Sequence, residues 1–129
     1  MATKQIETTI EKAFTGQRIT ANQLALCNVF YNANEKGLSL MEAARRIGKG
    51  TPSQIGGITS QLAQRIDKLG SINKQFGFTG YILLFERKDD RLGMRAEFRK
   101  VIDKYPKFKR TMMMKVREVF SLYKNGIDL

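Results

Sequence analysis

Ser53, Gly57, Ser60 and Gln64 recur at helical spacing, with Gly56 and Gln61 beside them. On a helix turning about 100° per residue, they form a strip of small residues and amides with no carboxylate until Asp67. A face that is merely solvated usually carries Lys and Glu. Ser, Thr and Gln side chains can hydrogen-bond base edges, and the Gln amide suits adenine. Free N–H groups at the start of the same helix attract phosphate. Each glycine costs a helix roughly 1 kcal/mol relative to alanine. Two of them make sense if this face is pressed into a groove that side chains would obstruct. The competing explanation is close helix packing inside the protein. The wheel position favours the groove for Gly57, while Gly56 lies nearer the boundary and suits either.

Other chemistry has little to build on. The chain has no histidine and one cysteine. The usual general base, zinc sites and Ser-His or Cys-His arrangements are therefore missing. "GKGT" at 48–51 lacks the glycine a phosphate-binding loop needs five residues before Gly48, where Ala43 stands. It also lacks Ser or Thr after the lysine, where Gly50 stands. Asp89 and Asp90 are adjacent, but flanked by Lys88 and Arg91 they read as a turn. No enzyme, catalytic residue, metal site or cofactor is expected.

The charge points to a polyanionic partner. There are 23 Lys and Arg against 12 Asp and Glu, a net +11. DNA, RNA and anionic membranes are the candidates. The excess is larger from residue 71 onward, 14 against 7, than before it, 9 against 5. Lys104, Lys107, Lys109 and Arg110 form a further basic group, either a phosphate contact or a solvated helix start. Cys27 has no disulfide partner and sits among Leu24, Leu26 and Val29, which suits a buried thiol in a reducing compartment. The N-terminus shows no secretory pattern, and "YILLF" is far too short to span a bilayer. These features fit a soluble cytoplasmic protein of a bacterial cell or its virus, with no membrane partner.

The elements that must position the strip are helices with local start signals. Thr20 precedes Gln23, Ser39 precedes Glu42, and Thr51 precedes Pro52 and Gln54, each at capping-box spacing. They predict helices over about 20–35, 39–48 and 51–69, ended by Gly37, Gly48 and Gly70. Ile55, Ile58, Leu62, Ile66 and Leu69 make the core face of the third. On the first, Leu24, Cys27 or Leu26, Phe30 and Ala33 make a buried stripe. Ile6, Ile10, Ala13 and Phe14 predict a further helix over 3–14. After Gly70 the period changes. "GYILLFERKDDRLGMRAEF" reads as a β-hairpin with its tip around 89–93, although Met94, Phe98, Val101, Ile102 and Tyr105 also fit a helix. After Pro106 one final helix is expected, with Phe108, Met112, Val116, Val119, Phe120 and Tyr123 on one face.

Short helix, tight turn, longer helix and then a basic hairpin is the order of a winged helix-turn-helix. Through "ITANQLALCNVF", "LSLMEAARRIGKGTPSQIGGITSQLAQRIDKLG" and "ERKDDRLGMRAEF", the sequence resembles the MarR family of bacterial DNA-binding regulators over about residues 19–99. It departs from that family in a longer "GKGT" turn, the double glycine and the inserted "SINKQFGFTG". The resemblance implies a homodimer joined through helices from both chain ends, for which the apolar faces at 6–14 and 108–123 are available. It implies that Thr51, Ser53, Gln54, Gly57, Ser60, Gln61 and Gln64 face the major groove of double-stranded DNA. It likewise implies that Arg87, Lys88, Arg91 and Arg95 belong to a wing at the minor groove or backbone.

The expected protein is therefore one mainly α domain over 1–129 with a small β-hairpin wing. Terminal helices lie in 1–18 and 106–129, the helix-turn-helix spans 39–69, and the wing spans 80–99. The expected function is sequence-specific DNA binding in transcriptional regulation. The alternatives are an architectural or replication-related DNA-binding protein with little sequence preference, and a winged-helix module that docks another protein.

Overall fold

Three reciprocal capping boxes start the three helices around which the fold is organised. The computed structural model describes residues 3–48, 50–69 and 80–129. Helix α1 is Thr3–Thr15, α2 Ala21–Tyr31, α3 Leu40–Ile47 and α4 Pro52–Asp67. In each box the side chain of Thr20, Ser39 or Thr51 accepts the N–H of the residue three further on. The side chain of that residue accepts the cap's own N–H, so two otherwise unpaired donors are satisfied locally. Gly48 ends α3 at φ 84°. The expected stop at Gly70, Lys49 of the "GKGT" turn and all of the insertion "SINKQFGFTG" except Gly80 lie outside the described residues.

The wing is a two-stranded antiparallel hairpin, β1 Phe85–Lys88 and β2 Arg91–Met94, paired from Phe85↔Met94 to Lys88↔Arg91. Asp89 and Asp90 form the turn, and Asp89 sits at φ 60°, which aspartate tolerates better than most residues. A single bridge joins Leu38 to Leu92 through two backbone hydrogen bonds of 2.9 and 2.8 Å. It ties the entry of α3 to the hairpin. The result is a mainly α, winged-helix-like architecture.

That bridge depends on Gly37. Its φ is 75°, and an added Cβ would lie 2.3 Å from the Leu92 carbonyl oxygen. Gly37→Ala is therefore expected to cost about 2–4 kcal/mol, from left-handed backbone strain and overpacking against backbone that cannot yield. A urea titration would show it as a lower midpoint at unchanged slope.

The hairpin is shorter than the expected 80–99. Gly80–Leu84 is a short helix, α5, and Ala96–Lys104 is helix α6. Leu83 and Leu84 are buried, and the Gly80 N–H donates to Asp67 Oδ1 at the end of α4 (2.8 Å), so packing overrides the β-forming composition. In α6, Phe98, Val101 and Ile102 are buried at helical spacing, which settles 93–105 as strand and then helix.

The single helix expected after Pro106 is two, α7 Pro106–Met112 and α8 Val116–Leu122. The cause lies in α2. Asn28 Nδ2 donates to the carbonyls of Thr111 and Met114, both 2.8 Å, and Asn32 Nδ2 to that of Met112, 2.9 Å. These side chains satisfy carbonyls in the last turn of α7 and just after it. The Lys115 N–H then donates to Glu118 Oε1 (3.1 Å) and starts α8.

Phe14, Phe30, Phe85, Phe98 and Phe108 form the centre of the core, with ring centroids such as Phe14–Phe98 at 5.1 Å. Helix α2 is buried along its whole length from Gln23 to Phe30 and not on one stripe. Cys27 is fully buried as expected, and burial pushes its thiol up to about 12. Leu69, expected in the core, is 40% exposed, and Ile58 is half-buried.

The apolar faces at both chain ends are largely used within the chain. Ile6, Ile10, Ala13 and Phe14 of α1 are buried in its own core, as are Phe108, Met112 and Val119, while Val116, Phe120 and Tyr123 are half-buried. The chain end closes on the α1–α2 connection, where Ile127 bridges Ile19 and Arg18 pairs with Asp128 at 2.8 Å. A dimer could use the buried residues of these faces only if the chain opened, which leaves the half-buried ones of α8 as the accessible part. Among the described residues, no helix is long and apolar enough to cross a membrane.

Candidate nucleic-acid interface

Helix α4 presents the expected strip to solvent. Thr51, Ser53, Gln54, Gly57, Ser60, Gln61 and Gln64 are all exposed, while Ile55, Leu62 and Ile66 on the far side are buried. Among the described residues, a Cβ added at Gly57 would meet nothing within 4 Å beyond the backbone of its own helix. One added at Gly56 would lie 3.7 Å from Leu40 Cδ1 of α3, an ordinary contact. The two glycines therefore differ. Gly57 faces open space, and Gly56 lies against the neighbouring helix.

The strip's residues are not equally available. Thr51 Oγ1 accepts the Gln54 N–H at 3.2 Å, and Gln54 Oε1 accepts the Thr51 N–H at 2.8 Å. Their oxygens are occupied in holding the helix start. Ser53, Ser60, Gln61 and Gln64 carry the side-chain hydrogen-bonding capacity that faces outward.

The wing cations are largely engaged within the protein. Arg91 lies 3.3 Å from Glu42 Oε1 and donates to the Gly37 carbonyl at 3.4 Å. Arg95, which starts α6, pairs with Glu97 at 3.1 Å. Lys88 donates to the Glu35 carbonyl at 2.6 Å, and exposed Arg87 donates to the Asp89 carbonyl at 3.3 Å. Glu86, Asp89 and Asp90 also offset Arg87, Lys88 and Arg91, so residues 86–91 carry no net charge. The hairpin is charge-balanced and not basic, and its tip exposes two aspartates. The C-terminal basic group is similarly tied. Lys104 pairs with Glu11 at 2.7 Å and Lys109 with Asp103 at 2.8 Å, while Arg110 is exposed.

Glu42 joins the helix-turn-helix to the wing. The backbone hydrogen bond from Ser39 is the main influence holding its carboxyl below the usual range, with a smaller contribution from Arg91. A carboxyl lowered in the folded state contributes stability above its unfolded value, and loses it as pH falls through the lowered one. Glu42→Gln should therefore flatten the acid side of the melting profile, which melting temperature measured against pH would show.

One buried residue was not legible as part of this region. Arg65 lies on the inner side of α4 and is 7% exposed. It donates to Gln23 Oε1 and to the Ala13 and Gln17 carbonyls at 2.8–3.3 Å, and also to the Arg18 carbonyl. It fixes α4 against α1 and the start of α2. The available signal was its wheel position beside Ile58 and Leu62, at the edge of the apolar stripe.

Between α4 and α8 runs a groove of about 400 Å³, lined on one side by Gln54, Gly57 and Gln61 and on the other by Asn22 and Phe120. A larger depression of about 730 Å³ lies beside the wing, near Glu35, Lys88 and Arg99. No protein-family model matches the chain, and no curated protein or solved structure shows significant similarity to it.

Proposed function

We propose that the protein binds double-stranded DNA with α4 in the major groove, as a sequence-specific transcriptional regulator acting in the cytoplasm. One observation carries the reading. The exposed face of α4 carries Ser and Gln side chains around an unobstructed Gly57, in a helix packed against the core on its other side. Side-chain amides and hydroxyls there match the donor and acceptor pattern of base edges. A net charge of +11 supplies the sequence-independent attraction such a protein needs.

Selection of bound duplexes from a random pool tests this. Strong enrichment of one sequence is the expected result. Tight binding without enrichment would support the architectural alternative, and no binding at low salt would leave the protein-docking module as the better account.

A further inference from the structure

We propose that the phosphate backbone is held around α4 by Arg45 on α3, Lys68 at the end of α4 and Lys124 after α8, and not by the wing. This rests on the DNA-binding reading and names the contacts that the reading leaves open.

Four depressions around α4 share lining residues. Gly50 belongs both to the depression beside Arg45 on α3 and to the groove between α4 and α8. Asn22 and Phe120 belong both to that groove and to the depression that holds Lys124. Gln61 and Thr20 carry the surface on to the depression that holds Gln64 and Lys68. No aspartate or glutamate lines any of the four. The strip of α4 thus widens into a carboxylate-free surface with a cation at each margin.

Those cations are available. Arg45, Lys68 and Lys124 are exposed, and none is in an ion pair among the described residues. Arg45 donates to the Met41 sulfur of its own helix at 3.3 Å. Arg18 also borders the surface, but Asp128 neutralises it. The wing offers the opposite arrangement. Glu35 lines the depression beside it, where Lys88 and Arg99 donate to backbone carbonyls. Its tip would bring Asp89 and Asp90 towards a polymer carrying one negative charge per about 1.7 Å. Repulsion there disfavours the wing as a clamp, whereas the other margins carry uncompensated positive charge.

The test is a fluorescence-anisotropy titration of a short mixed-sequence DNA duplex between about 50 and 200 mM salt, using the full chain. The triple variant Arg45→Ala, Lys68→Ala, Lys124→Ala should reduce the slope of log affinity against log salt by nearly three, about one per lost phosphate contact. Lys124→Ala alone should reduce it by about one, which keeps the test open if the triple variant folds poorly. The wing pair Arg87→Ala, Lys88→Ala should change it by less than one. Wild-type binding with an unchanged slope in both Lys124→Ala and the triple variant overturns this proposal and leaves the DNA-binding reading standing. So does a slope that falls as far in the wing pair as in the triple variant. Absence of wild-type binding at the lowest salt overturns the reading itself, and the proposal with it.

Discussion

Arg65→Leu is expected to lower the unfolding free energy by about 3–5 kcal/mol, because several buried acceptors lose their donor at once. Arg65 has no carboxylate partner among the described residues. Its donors go to neutral acceptors. Nε and one terminal nitrogen share Gln23 Oε1 at 3.2 and 2.8 Å, and the other terminal nitrogen reaches the Ala13 and Gln17 carbonyls at 3.3 and 3.2 Å. The Arg18 carbonyl accepts as well. Ala13 lies in the last turn of α1, where carbonyls lack intrahelical partners and carry partial negative charge. The helix end therefore does part of what a counterion would do. The guanidinium also lies 5.2 Å from the centre of the Phe14 ring. Burial lowers its pKa, yet an arginine keeps its charge at any ordinary pH. Leucine would restore apolar contact but leave these acceptors unpaired, at about 1–3 kcal/mol for each one that water cannot reach. Lysine would keep the charge without the planar fork, so Arg65→Lys should recover less than half of the loss. Urea unfolding of both variants checks the expectation. A midpoint for Arg65→Leu equal to that of the wild type would show that the network contributes nothing net.

What the sequence disclosed divides by the range of the interactions. The three capping boxes are hydrogen bonds between residues three apart, so residue types alone locate them. The exposed face of α4 was legible for the same reason, because one helical period decides which residues share a side. The break between α7 and α8 was not legible. It is made by Asn28 and Asn32, about eighty positions earlier, acting on carbonyls whose partners no local pattern reveals. Arg65 was missed likewise, since its acceptors lie 42 to 52 residues away. Gln23 shows both sides. Its role in the α2 cap was written beside Thr20, but the same oxygen also accepts from Arg65. The wing shows how a count of cations misleads. Arg91 was identifiable as a basic residue, but its carboxylate neighbour Glu42 belongs to helix α3, far back in the sequence, whereas Glu97 stands only two residues beyond Arg95 and was there to be read.

Gly57→Glu is expected to abolish DNA binding while leaving the protein folded. The position is exposed and helical, and among the described residues nothing beyond the helix's own backbone lies within 4 Å of where a Cβ would stand. Glutamate is a better helix former than glycine, so the fold has no reason to suffer. At the DNA surface the same side chain would bring bulk to the one strip position without a side chain, and negative charge to a face that has none, opposite phosphates and base acceptors. Gly57→Ala separates the backbone effect from the charge. It should stabilise the helix by something approaching 1 kcal/mol, because alanine loses less conformational freedom on folding. Its methyl should also weaken DNA binding if α4 approaches the groove closely at this point. Gly56→Ala supplies the contrast, since its methyl would touch Leu40 of α3 and not a ligand. Thermal melts and anisotropy titrations of the three variants read both effects. A lower melting temperature for Gly57→Ala would mean that the residue packs inside the protein. A Gly57→Glu variant that binds duplex DNA as tightly as the wild type would remove α4 from the groove.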